Sequence, residues 1–260
     1  MQQIFTFHKL VRYALCAAFC VTLITGSAHP AAAKSKKKRT RAITKPKFNP
    51  NAEKVDLWKA MDEKQIKTRV VAKNEKTGRI LFLNKTNKPL TILLPESFVA
   101  VPINAQFGGG GFGGGRGGGG GGGFFSIPPQ KTVSIPFKTV CLVHGKKVPH
   151  PKTKLKLVPT EMYTKNPALR ELISIVGNTG IDQNALQAAT WHITNRMSWD
   201  QLAEKSIPRL GGSDPDPYFT NEELIGATKI VSIAVQRAKK RMSEKKNSTP
   251  KMKRDRFLNE

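Results

Sequence analysis

The chain has 260 residues, 44 Lys+Arg against 18 Asp+Glu, and a formal net charge of +26 at pH 7. Three cysteines exclude a dense disulfide framework. The sparse acidic residues supply no paired-carboxylate motif, and neither Gly-x-Ser-x-Gly nor His-Glu-x-x-His occurs, so the chain reads as non-enzymatic, with no motif that implies a cofactor.

Residues 1–33 read as a secretory signal peptide. Lys9 and Arg12 make a positive start, Tyr13 to Ile24 is an apolar run, and Ala31-Ala32-Ala33 offers a cleavage site. The apolar run is too short for a membrane-spanning helix, which needs roughly 20 residues. Cleavage removes Cys16 and Cys20, leaves Cys141 as the lone thiol, and places the chain in the periplasm, outside the cell or on its envelope.

Residues 34–50 hold eight basic residues and no acidic one. They read as the core of a disordered basic arm over 34–54. A helix is expected within Val55–Ile66, then short strands. Ile66, Thr68, Val70 and Ala72 alternate with Lys67, Arg69 and Val71, the period of a half-exposed strand. Asn74 to Gly78 reads as a turn, with Gly78 able to take a positive φ. Arg79–Asn84, Leu90–Leu94 and the stretch around Phe98, Val101 and Ile103 read as further strands.

Residues 108–123 contain 14 glycines, broken by Phe112 and Arg116. A phosphate-binding loop leads from a strand into a helix. This one leads into Phe124-Phe125-Ser126-Ile127-Pro128-Pro129, so the stretch 107–123 is expected to be a flexible insert. A last strand runs from Val133 to about Val143, and Lys146–Pro159 is extended.

Helix signals follow. Asn166 before Pro167, Asp182, the Ser198/Gln201 pair and the Thr220/Glu223 pair mark four starts. The fold class is therefore α+β. An antiparallel, β-sandwich-like domain spans 55–157 and carries the Gly-rich insert. A small all-α domain spans 158–241, and a basic disordered tail covers 242–260.

Several segments together resemble a family of secreted proteins from planctomycete-type bacteria, one without an established catalytic mechanism. They are DLWKAM at 56–61, NKTNKPLTILLPESF at 84–98, the glycine insert, VCLVHGK at 140–146 and DQNALQAATWHITNRMSW at 182–199. The resemblance implies export and this architecture more than an activity. Val143 stands where that pattern would carry an acidic residue.

Four chemistries are open. Cys141 and His144 suggest a thiol nucleophile, although on a continuous strand residues three apart point to opposite faces. Cys141, His144 and His150, with His192, form a weak metal set whose spacing matches no zinc finger. Gln187-Ala188-Ala189-Thr190-Trp191 resembles the Gln-x-x-x-Trp helix of bacterial thioester domains. That resemblance implies a bond from Cys141 to Gln187, with Trp191 beside it. Finally, Lys34, Lys36, Lys37, Lys38, Arg39 and Arg41 at one end, and Arg237, Lys239, Lys240 and Arg241 at the other, suggest a clamp for a polyanion. The expected partner is an anionic envelope polymer or a membrane surface. No stacking platform or recognition motif points to specific nucleic-acid binding, and no motif specifies a protein partner.

Overall fold

The computed structural model describes residues 41–103, the backbone of 112–115, and residues 123–178, 180–209, 211 and 214–248. The signal peptide and the basic residues Lys34, Lys36, Lys37, Lys38 and Arg39 lie outside the described residues, as does the rest of the glycine stretch. The described residues belong to one compact unit, 40–260. Among them no helix is long and apolar enough to cross a membrane.

The architecture is mixed α+β with mostly antiparallel strands. Six strands close into a barrel: β2 (Ile66–Ala72), β3 (Thr77–Asn84), β8 (Thr132–Cys141), β6 (Phe112–Gly115), β5 (Ser97–Pro102) and β9 (Leu155–Pro159), in that spatial order. A second sheet joins β1 (Glu53–Asp56), β4 (Leu90–Leu93) and β7 (Phe124–Ile127), with β1 parallel to β4. Helix α1 (Leu57–Asp62) starts at Asp56, whose carboxylate accepts from the N–H groups of Trp58 and Lys59. The buried Asn84 side chain ties the end of β3 to β7, donating to the carbonyls of Lys88 and Ile127 at 2.7 and 3.1 Å.

Barrel closure replaces the expected sandwich, and the glycine stretch is the reason. Residues Phe112 to Gly115 are not loop but strand β6, pairing with β5 on one side and with β8 on the other. Phe112 faces Cys141 in register, and Gly114 faces Thr139. A run of glycines cannot bury side chains, but its amides still complete a ladder. Strand β9 closes the circle by pairing with β5 and, at Leu155 opposite Val70, with β2. The expected domain boundary after residue 157 therefore falls inside a barrel strand.

The basic arm also differs from expectation over its second half. Ile43 bridges Val133 in parallel and exchanges backbone hydrogen bonds with Thr132 and Ser134 at 2.8 Å. Asn49 donates to the Ser126 hydroxyl at 2.9 Å, and Ala52 is buried. Apolar Ile43 and Ala52 have core positions to fill, which the count of lysines conceals.

The remaining helices are α2 (Thr160–Tyr163), α3 (Pro167–Ile175), α4 (Gln183–Asn195), α5 (Trp199–Ala203) and α6 (Asn221–Ser248), with a small hairpin of β10 (Ser206–Ile207) and β11 (Asp216–Pro217) between the last two. The four start signals all operate: Asn166 and Asp182 accept from the first-turn amides, and Ser198/Gln201 and Thr220/Glu223 are reciprocal capping boxes. Helix α6 continues to Ser248, past the expected end at Arg241. It buries Ala227, Ile230, Ala234 and Ala238.

Gly78 does not need a positive φ. It sits in β3, and a Cβ built there would lie 2.7 Å from the Phe137 ring and 2.9 Å from the Val71 carbonyl. Phe137 in turn packs against Phe98 with ring centroids 5.5 Å apart. The barrel wall is thus set by the absence of a side chain at 78. Replacing Gly78 by Ala should cost about 1–3 kcal/mol through overpacking, read as a lower urea midpoint. An unchanged midpoint would show that Phe137 yields freely.

Candidate functional site at the end of strand β8

The site begins with a mismatch in strand length. Strand β3 starts at Thr77, opposite Lys138, while β8 runs on to Cys141. In an antiparallel strand the N–H and C=O of one residue point to the same side. The Thr139 N–H still reaches the Lys76 carbonyl at 2.9 Å. Beyond it, β8 has no strand neighbour on this side among the described residues, and its polar groups take other partners.

Helix α4 supplies them. Gln183 Nε2 donates to the Thr139 carbonyl at 2.6 Å. Gln187 Oε1 accepts from the Cys141 N–H at 2.8 Å, and its Nε2 donates to the Cys141 carbonyl at 2.8 Å. The spacings match: four helical residues advance about 6 Å, and two strand residues about 6.6 Å. Two glutamines one turn apart therefore replace a missing strand. Gln187 is buried, so its carboxamide is shielded from water at Cys141.

The chain turns immediately after Cys141, with Gly145 at φ +75°. This turn overcomes the strand argument against His144. The His144 N–H is held by Asn195 Oδ1 at 3.0 Å, and its ring meets Trp191 edge-on at 4.7 Å. Trp191 also contacts Tyr218 and Phe219, with centroids 5.6 and 5.8 Å away. Lys205 lies over both the Tyr218 and Trp191 rings, at 4.9 and 5.6 Å. The β10–β11 hairpin, clamped by Arg209 and Asp216, brings Lys205 and Tyr218 together through a Tyr218 N–H to Lys205 carbonyl bond of 2.8 Å.

The Cys141 sulfur is buried and donates to the Val143 carbonyl at 3.2 Å. Burial pushes the thiol pKa up. The Val143 bond and the Trp191 indole pull the other way without reversing it, and Glu75 adds a small upward push. Trp191 Nε1 is buried, has no nitrogen or oxygen acceptor among the described residues, and lies beside this sulfur. His144 moves down, first through burial and then through Lys205. Both groups are thus held neutral, which disfavours a thiolate–imidazolium pair.

The structure therefore brings Cys141, Gln187, Trp191 and His144 to one place. Sequence reasoning missed Gln183, Tyr218, Lys205 and Glu75. Gln183 alone carried a signal, as the residue one helical turn before Gln187. The metal alternative is not assembled: among the described residues no three His, Cys, Asp or Glu side chains gather. His150 Nδ1 accepts from the Lys152 N–H, and His192 stacks on Trp199 at 4.1 Å while bonding the Met197 carbonyl.

The polyanion set is also altered. Arg241 is engaged in the fold, bonding Glu171 at 3.0 Å and Glu96 at 3.1 Å. The Glu171 side chain is only 5% exposed, so removing Arg241 would leave a buried charge. Lys240 is an exposed partner of Glu244 at 4.0 Å. Arg41, Arg237 and Lys239 are exposed.

The neutral state of His144 has a pH consequence. Its folded pKa lies below the ordinary 6.5. Its contribution to stability is therefore full above 6.5 and is lost as pH falls through the folded value. Replacing His144 by Gln should flatten the decline in urea midpoint between pH 7.5 and 5.5 relative to the parent. Parallel declines in the two proteins would remove His144 from the balance.

Compared with protein-family models, curated proteins and solved structures, the chain matches none.

Proposed function

We propose that the protein is an exported, non-enzymatic binding module with one reactive element, an internal thioester between Cys141 and Gln187. The observation that carries this reading is the pair of 2.8 Å bonds that fix the Gln187 carboxamide against Cys141 inside a buried site. The Cys141 N–H polarises the Gln187 carbonyl in the manner of an oxyanion-hole donor. In the assembly step the sulfur bonds to Gln187 Cδ, the C–N bond breaks, and the thiol proton leaves with the nitrogen as ammonia. The Trp191 indole N–H beside the sulfur suits a group that carries negative charge during this exchange. The Gln-x-x-x-Trp likeness to bacterial thioester domains favours the thioester, and the likeness to secreted planctomycete-type proteins favours export. A plain Cys–His nucleophile is less well supported, because both groups are held neutral and the thiol bonds Val143 rather than His144.

The basic ends give this module a way to concentrate at an anionic envelope polymer or membrane surface. The exposed Arg237, Lys239 and Lys240 ride on a helix rather than on a loose tail, while Arg241 serves the fold. Such contacts are screened beyond roughly 8 Å at physiological ionic strength.

Two measurements test the reading. Intact-mass spectrometry of the purified protein should show a deficit of one ammonia, abolished by Gln187→Ala and by Cys141→Ser. Full sequence mass in the unreacted parent would overturn the thioester. In envelope fractions, high salt should release most of the protein, leaving a salt-resistant part that Cys141→Ser removes. If Cys141→Ser keeps that resistant part, attachment does not run through the cysteine.

A further inference from the structure

A second site lies apart from Cys141 and owes nothing to the thioester. A cleft of about 340 Å³ opens between helices α3 and α6, walled also by the β4–β5 connection and the start of α2. Small-molecule sites run to roughly 300–1,000 Å³. Helical spacing builds this one. Arg170, Glu171 and Ser174 share one face of α3, while Ala238, Arg241 and Lys245 share one face of α6. Glu96 and Glu161 complete the charged lining.

Glu171 is the residue that the fold leaves unfinished. Its side chain is only 5% exposed, and Arg241 Nε lies 3.0 Å from its Oε1. Both partners line the cleft, so the carboxylate head stands at its wall. The second oxygen, Oε2, is shielded from solvent and has no hydrogen-bond partner among the described residues. A buried carboxylate needs hydrogen bonds to its oxygens as well as a paired charge. The nearby donors are committed elsewhere. Arg241 Nη2 donates to Glu96 at 3.1 Å, so one guanidinium serves two carboxylates. The Ser174 hydroxyl donates to the Glu171 carbonyl at 2.7 Å, and the Ser97 hydroxyl pairs with that of Thr160 at 2.8 Å. What Oε2 lacks is an N–H or O–H donor from a molecule lodged in the cleft.

Charge around the cleft selects that molecule. At the Arg241 end two carboxylates share one cation, which favours an incoming ammonium. Arg170 stands beside Glu171 on α3, and its Nε and Nη2 donate to the carbonyls of Thr164 and Glu161 at 2.8 and 3.3 Å. Those acceptors are neutral, so the Arg170 charge remains for an anionic group. Glu161 and Lys245, both exposed, add one charge of each sign to the lining. A simple cation meets repulsion from Arg170, and a simple anion meets it from Glu171 and Glu96. A molecule carrying both charges meets an opposite charge at each end. We infer that this cleft binds a small zwitterion of the α-amino acid class, its ammonium donating to Glu171 Oε2 and its carboxylate beside Arg170.

The test is isothermal titration calorimetry on the purified full chain, with alanine as the probe. Alanine should bind saturably. Its N,N,N-trimethyl derivative keeps both charges but has no N–H, and should bind at least about tenfold more weakly. Propionate and ethylammonium, each lacking one pole, should weaken by a similar factor. Glu171→Gln keeps the shape and an acceptor for Arg241, and should also lower alanine affinity at least about tenfold. Arg170→Met should weaken alanine but not ethylammonium, while Cys141→Ser should bind alanine as the parent does. The probe series on the parent decides the matter even if a variant fails to fold. Trimethylated alanine binding as tightly as alanine would overturn the donor assignment, and ethylammonium binding as tightly would overturn the zwitterion. No saturable binding of alanine would show that a lodged water alone serves Glu171, and the site would fall. None of these results bears on the ammonia deficit that tests the thioester.

Discussion

The fold depends on two glutamines standing in for a strand. Beyond the pairing with β3, the Thr139 carbonyl and both backbone polar groups of Cys141 bond side chains of α4, and a buried unpaired amide or carbonyl costs about 1–3 kcal/mol. Gln183 and Gln187 satisfy both residues from one face of α4. The same bonds do three further things. They dock the helical segment on the barrel. They fix the height of α4, so that Trp191, one turn beyond Gln187, reaches the Cys141 sulfur. And they hold a carboxamide in a dry site at a cysteine, which is an unusual place for one unless chemistry or register requires it.

The barrel shows how a low-information segment becomes structural. Glycines lose more conformational freedom on ordering than any other residue, yet Phe112 to Gly115 fill the gap between β8 and β5. What compensates is a ladder on both sides, which no loop would supply. Gly78 makes the complementary use of a missing side chain, admitting the Phe137 ring against the sheet. At Gly78 the glycine answers a close approach of the Phe137 ring and the Val71 carbonyl, not a positive φ.

Electrostatics divides the basic residues into structural and exposed charge. Arg241 neutralises the buried Glu171 and reaches Glu96, pinning the last helix to α3 and to the β4–β5 connection. Its neighbours Arg237 and Lys239 stay exposed. One basic cluster in the sequence thus divides between a structural ion pair and exposed charge, decided by which face of α6 each residue occupies. Lys205 is a similar case, since it lies over two aromatic rings rather than standing as a solvated surface charge.

The sequence by itself determined what is settled within a few residues. The strand Ile66–Ala72 follows from alternation, and the helix starts at Asn166, Asp182, Ser198 and Thr220 follow from side chains that reach amides two or three positions on. Cys141, Gln187, Trp191 and His144 were legible as candidates because their residue types and local spacing are chemically suggestive. Their meeting was not legible. The Cys141–Gln187 contact joins positions 46 apart, the Arg241–Glu96 pair 145 apart, and Ile43 bridges Val133 of β8 from far upstream in the chain. Tertiary structure alone decided the closure of the barrel, the strand made from glycine, the turn that returns His144 to Trp191, and the place of Lys205 and Tyr218 beside that ring. The physical reason is that each depends on where a strand runs out of partners, and that is fixed by register between distant segments, which no local pattern encodes.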